Sequence, residues 1–199
     1  STRCINPFQT RACASQRIEI AWNVSMNKTP HYLVIGAGIA GLSCAQLLRS
    51  AGFGVTVVDK SRGPAGRMST RRGAGWACDH GAQYFTARDP AFVAEVERWQ
   101  REGVAALWQP RLKVFEDAAG RTTDRQLERF VGLPRMTAPA RLLAEGLSLQ
   151  TALTAVALHR ESAAWQVETA ETGRIDALFD GVILAVPAVQ ALPLLAPVS

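Results

Sequence analysis

The chain has 199 residues, of which 48% are hydrophobic and 20% are charged, and its formal net charge at pH 7 is +5. This composition is typical of a folded globular protein, either one ordinary domain or part of a two-domain enzyme. The arginines are scattered, without the basic helices or zinc-ligand spacing of nucleic-acid-binding proteins, and no apolar run approaches the ~20 residues of a membrane span. We therefore expect no nucleic-acid partner and no membrane insertion.

Residues 1–30 precede the first predicted element and have the arginine-rich, acid-poor bias of an organelle-targeting lead. Pro7 interrupts the helical arginine face that such a lead needs, so a disordered or non-native extension is favoured, with Met26 as a natural start. The four cysteines show no CxxC spacing, so neither a disulfide framework nor a metal site is indicated. A reduced, cytoplasmic protein is expected.

A dinucleotide-binding turn is predicted at residues 36–41. A short β-rich apolar run, residues 32–35, is followed by Gly36, Gly38 and Gly41, and then by a helix with an apolar face. Gly36 permits a tight turn, Gly38 lets a pyrophosphate approach the backbone, and Gly41 lets the helix pack closely on the strand. The exposed amides at the helix start would then face the phosphates.

A second buried strand, residues 55–58, ends at Asp59 about twenty residues after the turn. A carboxylate at this position can accept hydrogen bonds from both ribose hydroxyls. Because an acid there disfavours a 2′-phosphate, the nucleotide is expected to be NAD-like or FAD-like. The basic, glycine-rich loop that follows is predicted to return over the first turn, where Arg67 would contact the pyrophosphate.

The remaining chain alternates between helical and strand patterns. Asp89 is predicted to cap a packing helix that contains Val96 and Trp99. Further predictions are strands at 106–115 and 126–132, a helix at 139–146, an antiparallel unit of strands at 153–159, 165–170 and 174–179, and a parallel-sheet strand at 180–187.

The chain resembles the flavin-dependent amine oxidase superfamily, and within it the bacterial renalases. The matching segments are residues 36–42, 59–63, 66–69, 79–89 and 131–136. The first two segments are shared by many flavoproteins, whereas Gly-Ala-Gln-Tyr-Phe at 81–85 and Val-Gly-Leu-Pro-Arg-Met at 131–136 are far more specific. The resemblance implies an α/β fold: a Rossmann-type FAD-binding domain of the two-domain, para-hydroxybenzoate hydroxylase-like type, with part of a mixed β-sheet substrate domain.

FAD is the cofactor that this resemblance implies. Its pyrophosphate would lie on residues 36–41 and near Arg67, and its ribose would contact Asp59. Its flavin ring would lie close to Gln83 and Tyr84, and its adenine would contact Val156. Without the resemblance, Val156 would be interpreted as a core valine. The full set of candidate cofactor-binding residues is Gly36, Gly38, Ile39, Ala40, Gly41, Asp59, Lys60, Gly66, Arg67, Met68, Gln83, Tyr84 and Val156. Without the resemblance, Gln83 and Tyr84 would be ordinary strand residues.

The sequence departs from the family pattern at two positions. His80 replaces an expected apolar residue, and Ala65 replaces the first glycine of the usual Gly-Gly-Arg. The resemblance runs from His31 to the end and corresponds to the first half, or slightly more, of the family pattern. The expected division is a lead at 1–30, FAD-binding domain at 31–88, the start of a substrate domain at 89–148, and a truncated return to the FAD-binding domain at 149–199.

The activity implied by the resemblance is the oxidation of isomeric dihydronicotinamide dinucleotides, with hydride transfer to the flavin and reduction of oxygen to hydrogen peroxide. No nucleophile, paired carboxylate or metal cluster stands out, as expected where the cofactor carries the reactive centre. Two alternatives stay open. One is a flavin amine oxidase or desaturase acting on a small substrate, and the other is a non-catalytic nucleotide-binding module or an incomplete fragment.

Overall fold

The computed structural model describes residues 28–110 and 128–196. In chain order its elements are β1 (His31–Ile35), α1 (Ile39–Ser50), β2 (Gly54–Asp59), a 3₁₀ turn (Gly66–Met68), β3 (Thr70–Gly73), β4 (Trp76–Asp79), α2 (Pro90–Arg101), β5 (Ala105–Trp108), β6 (Arg129–Gly132), α3 (Ala138–Ala144), β7 (Ser148–Thr151), β8 (Ala155–Glu161), β9 (Ala164–Thr169), β10 (Gly173–Arg174), β11 (Gly181–Leu184) and α4 (Ala188–Leu195).

A four-stranded parallel sheet in the order β11-β1-β2-β7 forms the centre of the molecule. Leu33 and Val34 in β1 are fully buried, as are Val57 and Val58 in β2. Adjacent residues of one strand point to opposite faces, so their joint burial means that both faces of the sheet are covered. The predicted Rossmann-type α/β fold is confirmed.

Each face of the sheet contributes to a separate hydrophobic cluster. Val34 and Val57 pack with Leu42 of α1 and Trp99 of α2 on one side. On the other side, strand residues such as Leu33 pack beneath the antiparallel sheet β10-β9-β8 and α4; the buried members of this second cluster are Leu33, Ile35, Val58, Leu158, Val167, Phe179 and Leu194. Because side chains alternate between the two faces along β1 and β2, these two strands contribute to both hydrophobic clusters.

Helix α2 begins as predicted at Pro90, with Asp89 as its cap. The Asp89 carboxylate accepts hydrogen bonds from the amides of Ala91 (3.0 Å) and Phe92 (3.2 Å). Farther along the helix, the Arg98 guanidinium lowers the pKa of the Glu95 carboxyl by donating hydrogen bonds to it.

Removal of this cap gives a first testable prediction. Asp89→Ala leaves two amides of α2 without their side-chain acceptor, so the free energy of unfolding should fall by about 1 kcal/mol. Urea unfolding followed by circular dichroism measures the difference. The same substitution at exposed Asp176, outside any helix, is the control. Equal losses in the two variants would contradict the capping role.

The antiparallel units differ from the predictions in three respects. The strand predicted at 174–179 is wrong: β10 contains two residues, and Phe179 makes only an isolated bridge to Trp165. The β3–β4 hairpin and strand β7 were not predicted. Strands β5 and β6 pair with each other. Of the strands predicted at 106–115 and 126–132, residues 111–115 and 126–127 lie outside the described residues.

One hydrophobic cluster spans the predicted boundary between segments 31–88 and 89–148, because Phe130 and Val96 pack with Val34 and Leu42. The four-part division of the chain stays a prediction. Within residues 28–110 and 128–196, each helix is too short or too polar to cross a bilayer. The same ranges contain no group of three His, Cys, Asp or Glu side chains arranged to hold a metal ion.

Candidate dinucleotide-binding site

Two of the three glycines in the β1–α1 turn are required by the packing of the protein itself. Gly36 has φ +111°, and a Cβ there would lie 2.6 Å from the carbonyl oxygen of Ala185. A Cβ on Gly41 would lie 1.9 Å from the carbonyl oxygen of Gly36. The tight turn predicted for Gly36 and the close helix–strand approach predicted for Gly41 are therefore confirmed.

Gly38 differs from both, because a Cβ at this position would have no atom of the described chain within 4 Å. Its φ of −75° and ψ of 174° are open to any residue, so neither strain nor packing requires glycine here. Helix α1 starts directly after Gly38 with no side-chain cap and no acidic residue in its first turn. The helix start thus turns backbone amides that lack a side-chain acceptor, and the positive end of its dipole, towards an open space that suits an anion.

Asp59 lies at the carboxyl end of β2 and is half-buried. One carboxylate oxygen accepts a hydrogen bond from the Ala37 amide (2.6 Å), and the other accepts one from the Ser61 amide (2.7 Å). Each oxygen keeps acceptor capacity for a ribose hydroxyl, because a carboxylate has about four lone-pair sites. These bonds fix the carboxylate beside the turn; its contact with ribose stays a prediction.

The loop after β2 returns over the turn, as predicted. The Ala65 amide donates to the Ala37 carbonyl (2.9 Å), and a Cβ on Gly66 would lie 3.2 Å from the Cα of Gly38. Ala65 is buried and has φ +125°, a conformation that favours glycine and costs an alanine of order 1–3 kcal/mol. The structure therefore gives the physical reason for the glycine that the family pattern has at this position.

The two basic candidates of this loop are both exposed. Arg67 lies in the 3₁₀ turn next to Gly66, whereas the Lys60 ammonium donates a hydrogen bond to the Gln190 side chain of α4 (3.2 Å). Phosphate binding by Arg67 stays a prediction.

Gln83 and Tyr84 are exposed and lie in an irregular segment, so their interpretation as strand residues is wrong. The segment is held at both ends: the Ala82 amide donates to the Arg67 carbonyl (2.9 Å), and Phe85 pairs with Phe130 through two backbone hydrogen bonds. The Tyr84 ring centroid lies 5.7 Å from that of Trp108 and 5.5 Å from the Arg129 guanidinium carbon. Their position beside the flavin stays a prediction.

The other candidates occupy varied environments. Val156 is 45% exposed at a bulge in β8, which leaves its side chain available for contact. Ile39 and Met68 pack against the first hydrophobic cluster, whereas Ala40 is exposed. His80, to which no role is assigned, is also exposed.

The sequence interpretation missed two residues that shape the turn through their backbones. Ala37 donates its amide to Asp59, and Ala185 places its carbonyl against Gly36. A small residue directly after an apolar strand was the available signal at position 185, but only the pairing of β11 with β1 shows that this strand adjoins the turn.

Parts of this chain are similar to known proteins. Residues 34–97 match the NAD(P)-binding Rossmann-like domain family. Hydroxyneurosporene desaturase of Rubrivivax gelatinosus is 37% identical over 129 residues, 54% of this chain and 25% of that protein. The L-amino-acid oxidase of Siganus canaliculatus is 42% identical over 59 residues, 29% of this chain and 11% of that protein.

Two solved structures are similar in fold. A protein assigned as a protoporphyrinogen oxidase from Exiguobacterium has a TM-score of 0.63 at 13% identity, over 85% of this chain and 62% of that one. Putrescine oxidase bound to putrescine has a TM-score of 0.61 at 13% identity, over 84% and 60%. The fold is Rossmann-like. The chain spans a quarter or less of these curated relatives and about three-fifths of the solved structures.

Proposed function

We propose that this chain is the FAD-binding part of a flavin-dependent oxidoreductase. The observation that carries the proposal is the open space at Gly38, which the start of α1 and the loop at Ala65 and Gly66 border, with Asp59 at the end of the next strand. Such an arrangement fits a pyrophosphate at the helix start and a ribose at the carboxylate. Similarity to oxidases and a desaturase favours FAD over a nicotinamide nucleotide as the resident cofactor.

Different residues would bind different parts of the cofactor. Backbone amides from Gly38 to Gly41 would bind the pyrophosphate, with Arg67 as a charged partner, and Asp59 would orient the ribose. Gln83 and Tyr84 would line the flavin side, and Val156 and Lys60 the adenosine side. FAD, when bound, supplies the hydride acceptor and the site that reduces oxygen, so the protein's task is orientation and exclusion of water.

For the substrate we propose, first, an isomeric dihydronicotinamide dinucleotide, on the basis of the renalase-like motifs at 81–85 and 131–136. A small amine or isoprenoid is the second candidate, because the relatives include L-amino-acid oxidases and a hydroxyneurosporene desaturase. Both candidate reactions would use the same FAD site, and they differ in the residues that would bind the substrate.

An absorption spectrum of the purified chain, before and after addition of FAD, tests the proposal. Retained flavin bands are expected, and a protein that binds no FAD under any condition would overturn it. Anaerobic addition of aged NADH, which contains the isomeric forms, should bleach the bands while fresh NADH does not. Bleaching by an L-amino acid or putrescine instead would favour the second candidate, and flavin that none of these reduces would favour a non-catalytic module.

Asp59→Ala tests the ribose contact. A charge-assisted hydrogen bond contributes about 1.5–3 kcal/mol, so loss of even one ribose contact should weaken FAD binding about 10- to 150-fold. Fluorescence titration with FAD measures the change. Asp180→Ala is the matched control, since its carboxylate also accepts a backbone amide, that of His31, but at the opposite end of β1. An equal FAD affinity in Asp59→Ala and the wild type would assign the ribose to another partner.

A further inference from the structure

We propose that Asp79 is a positioning residue that fixes the segment carrying Gln83 and Tyr84 relative to the loop that carries Arg67. This loop, residues 60–69 between β2 and β3, is called the phosphate loop below. The inference rests on the proposed function, because it concerns the flavin side of that site. Neither composition nor spacing assigns a role to Asp79, and its side chain lies at the end of β4.

The Asp79 carboxylate joins three separate segments of the chain. One oxygen accepts a hydrogen bond from the Thr70 hydroxyl (2.5 Å), in the strand that follows the phosphate loop. The other accepts one from the Met136 amide (3.2 Å), in the segment that leads into α3. Asp79 is half-buried and Met136 is 1% exposed, so water competes weakly for these bonds.

The residues after Asp79 touch the phosphate loop directly. A Cβ on Gly81 would lie 2.0 Å from the Arg67 carbonyl oxygen, and the Ala82 amide donates to that same oxygen. The backbone at 81–82 therefore lies in contact with the residue expected to bind the pyrophosphate, and Gln83 follows at once. A displacement at Asp79 would move both groups that are proposed to contact the cofactor.

Shape-matched variants separate the hydrogen bonds from the packing. Asp79→Leu keeps the branched shape but removes both acceptors. Asp79→Asn can keep both bonds, because its amide oxygen accepts from Met136 and its NH₂ group donates to the Thr70 hydroxyl. Thr70→Val removes only the hydrogen bond between Thr70 and Asp79, and it replaces Asp79→Leu as the test variant if Asp79→Leu does not fold.

Amide hydrogen exchange of the chain without FAD is the first readout. The Ala82 amide should exchange at least tenfold faster in Asp79→Leu, and faster to a smaller extent in Thr70→Val, but at the wild-type rate in Asp79→Asn. The Gly36 amide, which donates to Val58 within the central sheet, reports general destabilisation and should be unchanged. Unchanged exchange at Ala82, or a parallel rise at both amides, would overturn the inference.

The flavin spectrum is the second readout and separates this inference from the proposed function. Gln83→Ala should shift the visible flavin bands in the wild-type and Asp79→Asn backgrounds and leave them unmoved in Asp79→Leu. An equal shift in all three backgrounds would overturn the positioning role while the FAD site stands. A wild-type chain that binds no FAD would overturn the proposed function, and hydrogen exchange would still decide whether Asp79 fixes the segment.

Discussion

Gly38→Val should remove detectable FAD binding while the helix content and the free energy of unfolding stay close to those of the wild type. The valine side chain would enter the open space in front of α1, where no atom of the described chain lies within 4 Å of a Cβ. The backbone at Gly38 has ordinary angles for a β-branched residue, so the fold tolerates the change. The cofactor does not, because a pyrophosphate needs direct contact with the helix-start amides.

Gly63→Val is the matched control for this variant. Gly63 also has no atom of the described chain within 4 Å of a Cβ and does not need a positive φ. It lies in the loop after β2 but is not among the candidate cofactor-binding residues. Flavin absorbance after gel filtration measures retention, and circular dichroism measures the fold. Wild-type flavin content in Gly38→Val would show that the open space is not the pyrophosphate site.

The glycine spacing predicted the turn because its requirements are local. Gly36 needs a positive φ, and a strand–turn–helix of this length leaves few alternatives for Gly41. Asp59 was predicted for the same reason, since it ends a strand that must lie beside the first. These features depend on residues close in sequence and on one parallel pairing.

The features that the sequence did not reveal depend on distant contacts. Strand β7, Ser148–Thr151, has no apolar alternation of its own and exists because it pairs with the edge of β2. The β3–β4 hairpin is exposed at nearly every position, so no hydrophobic pattern marks it. Phe179 is buried in the second cluster but does not belong to a regular strand. The alternation of apolar residues before it therefore predicted a strand that the structure does not contain.

Asp79, within the candidate site, is a further residue whose contacts could not be predicted from the sequence. Its position in the motif at 79–89 was visible, but its two partners lie 9 and 57 residues away. A side chain that links three segments has no local signature, because its value depends on the tertiary arrangement of all three. The resemblance predicts candidate contacts with the cofactor, whereas the residue that we propose to fix them is recognised only from the three-dimensional structure.

Gly41→Ala should destabilise the protein by about 3 kcal/mol, the upper end of the usual cost of forcing extra volume into a packed site. Helix propensity alone predicts the opposite sign, because alanine in a helix is about 1 kcal/mol more favourable than glycine. Packing decides the outcome: the new Cβ would lie 1.9 Å from the Gly36 carbonyl oxygen, a backbone atom that cannot rotate away. Urea unfolding gives the difference in free energy, with Leu47→Ala, at a 73% exposed position of the same helix, as the control expected to change it by less than about 0.5 kcal/mol. A Gly41→Ala protein as stable as the wild type would mean that α1 can withdraw from β1. The proposed pyrophosphate site at the start of α1 would then lose the rigid support on which the proposed cofactor contacts depend.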